Sequence, residues 1–114
     1  MKNNNTIDLD LYRTQIGSTK SKVFTGRDRG KEVRDKSNLD KIFEDNDSIK
    51  IIIPRAIYSI TPSFLEEYFY NIVKKHGKEN VESRIEWETN GYSIEGALAE
   101  AFERILRRIN GLDN

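Results

Sequence analysis

The run Ile49-Lys50-Ile51-Ile52-Ile53 is the most apolar stretch of the chain, and Pro54 stops it. A run of this kind suits a central strand covered on both faces. Pro54 has no N–H for a ladder bond, so regular pairing ends at or just past it. Shortly beyond, three signals mark the start of a helix. The Thr61 hydroxyl can cap free backbone N–H groups, Pro62 is pre-set for the first helical position, and Ile60 and Leu65 are spaced as a hydrophobic staple. Leu65, Tyr68, Phe69, Ile72 and Val73 then fall on one face, and His76-Gly77 marks the end of a helix over 62–76. Lys74, Lys75 and His76 sit favourably beside the negative end of its dipole.

The remaining elements must cover this strand and helix. Ile7, Leu9 and Leu11 alternate with Asp8, Asp10 and Tyr12, the two-residue period of a half-buried strand near a sheet edge. Gly17 to Arg29 reads as a loop or irregular hairpin arm. From Gly30 the chain turns helical, with Val33, Leu39, Ile42 and Phe43 as buried candidates. Ser37-Asn38 interrupts the pattern, Asn38 being placed to cap a second short helix before the polar turn Asp45-Asn46-Asp47-Ser48. Arg84 to Thr89 alternates again, with Ile85 and Trp87 on one face, before an Asn90-Gly91 turn. Ser93 caps the last helix, over 93–110. Its stripe is Ile94, Ala97, Leu98, Ala101, Phe102, Ile105, Leu106 and Ile109, and Gly111 stops it. The order of strands and helices predicts an α/β fold, a small mixed β-sheet packed with about three to four helices. A single domain is expected over residues 6–112, behind a disordered N-terminus over residues 1–5.

Composition narrows the function classes. In 114 residues there is no Cys and one His, so a disulfide framework, a thiolate nucleophile and a structural zinc site all lack material. The 19 basic and 19 acidic side chains balance, which argues against general nucleic-acid binding, although residues 1–36 are mildly basic. No apolar run approaches the roughly 20 residues of a membrane span, and Met1 to Asn5 offers no apolar stretch for a secretion signal. The expectation is a cytoplasmic protein with no membrane association.

Individual constellations carry little chemistry. Gly26-Arg27-Asp28-Arg29-Gly30-Lys31 has glycines and arginines suited to an anion, but its glycines are too close together for a phosphate-binding P-loop and Glu32 follows Lys31. Glu66 and Glu67 are adjacent carboxylates pointing about 100° apart on a helix, so they serve the positive helix end better than a paired-acid mechanism. His76 has no Ser or Asp partner in sequence and reads as a helix-end cation. Tyr68 and Tyr70 with Lys74 and Lys75 resemble an aromatic, basic surface, yet Tyr68 lies on the core stripe. Arg104, Arg107 and Arg108 read as last-turn cations on a solvated face. None of this makes an enzyme or calls for a cofactor or metal; a binding module remains.

Residues 23–75 resemble the STAS-like family of domains of unknown function, small bacterial relatives of the anti-sigma factor antagonists. That family's pattern has an Arg-x-x-Gly helix start, a central strand ending in Asp-Phe, and an Ile-Ser-x-Ser-Phe-x-[Asp/Glu]-Glu helix start. Here Arg27-Asp28-Arg29-Gly30 with Val33-Arg34 matches the first element and Ile51-Ile52-Ile53 the strand. Ile60-Thr61-Pro62-Ser63-Phe64-Leu65-Glu66-Glu67 matches the second helix start. Ile53-Pro54 stands where the family has Asp-Phe. Pro62 occupies the position of the phosphoacceptor Ser of phosphorylation-switched antagonists, leaving Ser63 or Thr61 as possible acceptors.

The resemblance implies a non-catalytic regulatory protein that docks on a protein partner, often a histidine-kinase-like ATPase. The partner-binding surface it implies comprises Ser59, Thr61, Ser63, Phe64 and Glu67, flanked by Arg27 and Arg29, on a monomer or weak homodimer. Two other classes stay open: a small nucleic-acid-associated or phage/defence-related accessory protein using the basic segment 20–34, and a nucleotide-binding or phosphoryl-transfer protein.

Overall fold

The structure is a computed structural model and describes residues 4–111. In chain order its elements are β1 (Thr6–Asp8), a 3-10 helix (Leu9–Tyr12), β2 (Gln15–Ile16), β3 (Thr19–Lys20), β4 (Val23–Phe24), α1 (Arg27–Ser37) and α2 (Leu39–Asp45). There follow β5 (Ile49–Ile52), β6 (Ser59–Ile60), α3 (Pro62–His76), α4 (Lys78–Arg84), β7 (Ile85–Glu88) and α5 (Glu95–Ile109). The fold is α/β, with parallel and antiparallel strand pairs and, among the described residues, five α-helices, α4 being the one beyond the expected number.

The isoleucine run is the central strand. β5 lies between β1 and β7 in a three-stranded parallel sheet, with Ile51 opposite Ile7 on one side and Trp87 on the other. β1 is an edge strand, as the alternation at Ile7 suggested. Coverage of β5 is one-sided, however. Ile49, Ile51 and Ile53 are buried against the helices, while Thr6, Asp8, Lys50, Ile52, Glu86 and Glu88 share the other face and none is buried. Lys50 and Glu88 form an ion pair there at 3.0 Å, which suits a solvated face.

On the inner face α3 is the middle helix, packed against α1 on one flank and α5 on the other. A chain of rings follows it. Phe24 meets Phe64, Phe64 stacks on Tyr68, Tyr68 meets Phe69 edge-on, and Phe69 reaches both Trp87 and Phe102, with centroids 5.0–6.0 Å apart. Burial pushes the Tyr68 phenol's pKa up, against the opposing hydrogen bond with Ser37. The start of α3 is built as its sequence dictates: Thr61 Oγ1 accepts the Phe64 N–H at 3.3 Å, Pro62 fills the first turn, and Ile60 and Leu65 are both buried. Gly77, with φ 89°, ends α3 and opens α4.

Several local readings are corrected. The alternation at Leu9 and Leu11 does not continue β1, because the Asp8 carboxylate accepts the Asp10 N–H and bends the chain into a 3-10 turn. Leu11 is consequently exposed. The segment 17–29 contains β3 and β4: β2 and β3 form an antiparallel hairpin, and β4 pairs in parallel with β6. α1 starts at Arg27 rather than Gly30. Asn38 joins α1 to α2 through a left-handed backbone without a side-chain cap. Ser93 does not cap α5; its hydroxyl bonds the Glu95 carboxylate, and the buried Ile94 occupies the cap position. Arg84, read as part of a strand, instead closes the C-terminal end of α2. Its guanidinium donates to the carbonyls of Phe43, Asn46 and Asp47 and lies over the Phe43 ring.

Disorder expected over residues 1–5 falls outside the described residues for 1–3, as does Leu112 at the other boundary. Asn5 is tied down, its carbonyl accepting from Lys50 N–H at 2.8 Å and its amide donating to Ser48 O. Among the described residues no helix is long and apolar enough to cross a membrane.

Candidate functional site

The starts of α1 and α3 are joined at one hydroxyl. Gly26 N–H donates to Thr61 Oγ1 at 3.2 Å, Phe64 N–H donates to the same oxygen, and Ser63 Oγ lies 3.1 Å from it. Both acceptor positions of Thr61 are therefore used, and its single proton faces Ser63. As an acceptor for phosphate Thr61 would lose the proton that faces Ser63, and the phosphoryl group would have to fit beside the two N–H groups it already accepts. Among the described residues the Ser63 hydroxyl has only that one hydrogen-bond partner; the residue is half-exposed, lining an open depression with Thr25, Gly26, Arg27, Asp28, Arg29 and Glu32.

The other residues of the expected surface separate. Ser59 is half-exposed on β6, its backbone paired with Val23. Phe64 is fully buried between Phe24 and Tyr68, so the sequence reading of an aromatic surface here is corrected: the ring belongs to the core. Arg29 turns inward, donating to the Tyr12 carbonyl and pairing with Glu32 at 2.6 Å. Arg27 keeps more than half of its side chain in solvent, with one guanidinium nitrogen 3.3 Å from Glu66 Oε2.

Sequence reasoning missed the group behind Arg27. Glu66 is fully buried and sits among three arginines contributed by the two flanking helices. Arg108 Nη1 is 2.9 Å from its Oε2 and 3.2 Å from Glu67 Oε2; Arg104 Nη1 is 3.8 Å from its Oε1, which accepts no hydrogen bond. Glu67, partly exposed, is further held by Arg34, whose Nη1 also donates to the Glu67 carbonyl at 2.7 Å. The Arg108 guanidinium lies over the Tyr70 ring at 4.1 Å. Burial pulls the Arg108 pKa down, but the hydrogen bonds it donates to the Glu66 and Glu67 carboxylates, with their charge, outweigh it and hold the group above its ordinary value.

The two carboxylates thus do not merely complement a helix end, and Arg104 and Arg108 are not free surface cations. The available signal was the four-residue spacing of Arg104 and Arg108, which puts both on one face of α5. Arg29 and Arg34 being internally paired also leaves the segment 20–34 with fewer free cations than its composition suggested.

His76 contacts the Glu44 carboxylate and packs on Phe43, tying α3 to α2. Among the described residues no group of three or more His, Asp or Glu side chains converges to hold a metal ion. Comparison with protein-family models, with curated protein sequences and with solved structures returns no match to this chain.

Proposed function

We propose that this chain is a non-catalytic regulatory domain of STAS-like type that docks on a protein partner, an ATPase-type kinase by the family resemblance, through the corner where α1 and α3 begin. In this reading it acts in the cytoplasm, as a monomer or weak homodimer. The observation that carries the reading is the Gly26–Thr61 joint, which sets Ser63 and Arg27 side by side at an open depression. Ser63 offers a hydroxyl in the first turn of a long helix, where added negative charge is favoured, and Arg27 offers a largely solvent-exposed cation. Thr61 and Phe64 support the corner from within.

Partner recovery from a lysate with the wild type and with Ser63→Asp tests the proposal. The first turn of α3 holds no acid, so Asp at residue 63 should leave stability unchanged or raise it by about 0.3–1 kcal/mol. The expected result is a recovered partner whose affinity shifts about tenfold or more with that charge. A partner whose affinity ignores it, on an intact fold, would place the docking surface elsewhere.

A further inference from the structure

β7 ends the parallel sheet and, among the described residues, has a strand on one side only. The protections it carries are its four-residue length and its two glutamates. The segment Ile85-Glu86-Trp87-Glu88 contains no proline and no lysine, and it pairs with β5 residue for residue without a bulge. Glu88 O accepts from Ile53 N–H, so the Glu88 backbone groups point toward β5 and, by strand alternation, Trp87 presents its amide and carbonyl to the open edge.

Beside this edge, on the helix side of the sheet, lies an apolar groove of about 170 Å³ lined by Phe69, Ile85, Trp87, Leu98 and Phe102, with Glu82 as its only charged lining residue. A cavity of about 150 Å³ takes a benzene-sized group, so the groove has room for a single apolar side chain. The other face of the edge is acidic. Glu86 is exposed and makes no ion pair among the described residues, and Glu88 lies next to it in the same row, paired with Lys50.

We infer that β7 and this groove receive an extended segment of a partner protein, added as a further strand, with an apolar residue directed into the groove and Lys or Arg at the alternating positions that face Glu86. Backbone pairing would supply affinity and the two faces specificity. A second copy of this chain is the wrong occupant. Pairing β7 with β7 sets Glu86 and Glu88 of both copies on adjacent strands, and like charges across a strand pair are destabilising. The site uses none of the residues proposed for docking at the α1–α3 corner, so the two proposals stand or fall separately.

Trp87 is the only tryptophan, which makes the site self-reporting. The probes are capped hexapeptides alternating Lys with Val or Leu, against the same peptides with Glu for Lys and against scrambled orders of the Lys peptides. The expected result is a saturable change in Trp87 emission with the alternating Lys peptides alone, weakening as salt is raised. Glu86→Lys should lower that affinity about tenfold and raise affinity for the Glu peptides. Leu98→Gln, in the groove, should abolish binding; if it fails to fold, the exposed Glu86→Lys still decides the matter. Equal binding of Glu and Lys peptides, or no change in emission with any peptide, overturns the inference. So does wild-type dimerisation through β7, detected by sedimentation and blocked by the alternating Lys peptides.

Discussion

Gly30 and Phe64 hold α1 and α3 in backbone contact: a Cβ at residue 30 would stand 2.3 Å from the Phe64 carbonyl oxygen and 3.1 Å from Glu67 Cβ. The obstacle is backbone, which cannot rotate away. In a helix interior Gly→Ala ordinarily stabilises by about 0.5–1 kcal/mol. Here the sign should reverse. Gly30→Ala is expected to lose about 1–3 kcal/mol through overpacking, read as a lower denaturant midpoint. A gain would mean that the two helices are farther apart. The glycine of the Arg-x-x-Gly segment thus has a packing role independent of any partner.

Phe69 is fully buried where rings from α3, β7 and α5 meet, in contact with Tyr68, Trp87 and Phe102. Phe69→Ala should cost about 3–5 kcal/mol, a large fraction of the stability of a domain this size. Trp87 emission should shift to the red as its neighbour is removed. An unchanged melting temperature would show that this part of the α3 stripe does not face the sheet.

What the sequence made legible was local. The α3 start could be read because its cap, proline and staple all fall within Ile60 to Leu65, and the central strand because five residues carry the whole signal. The continuation of β1 through Leu11 was misread because a single bond from Asp10 N–H to the Asp8 carboxylate overrides a period-two pattern. Glu66 was illegible for a different reason. A glutamate on a helix reads as solvated until α5 brings Arg104 and Arg108, some 40 residues away, over it. Phe64 is the opposite case: the family segment suggests a surface, whereas the side chain following Ser63 points into the core.

Glu44 gives a pH signature. The hydrogen bond with His76 lowers its carboxyl below the ordinary value of 4.5; desolvation opposes this by less, and Lys75 adds a weaker lowering. A lowered folded-state pKa contributes stability above the unfolded-state value and loses it as pH falls through the folded one. Glu44→Gln should therefore melt below the wild type above pH 4.5, and the gap should close as pH falls below that value. A gap that stays constant across this range would show that the side chain acts through packing rather than charge.

Arg27 and Arg108 both reach Glu66 Oε2, but they differ in what they exclude from water. Arg27 is mostly solvated, so its pair is screened and Arg27→Met should cost less than about 1 kcal/mol. Arg108 bridges Glu66 and Glu67 and covers Tyr70. Removing it leaves a fully buried carboxylate with a 3.3 Å contact to a solvated arginine and a 3.8 Å contact to Arg104. Breaking a buried pair costs about 3–5 kcal/mol. With two arginines remaining, Arg108→Met should fall at or somewhat below the bottom of that range and well above Arg27→Met. Chemical denaturation of the two variants side by side measures the difference. Equal losses would mean that Glu66 is wetter than its burial implies. The expected inequality would show that Arg108 fixes α5 to α3, leaving Arg27 free to turn toward a partner at modest cost to the fold.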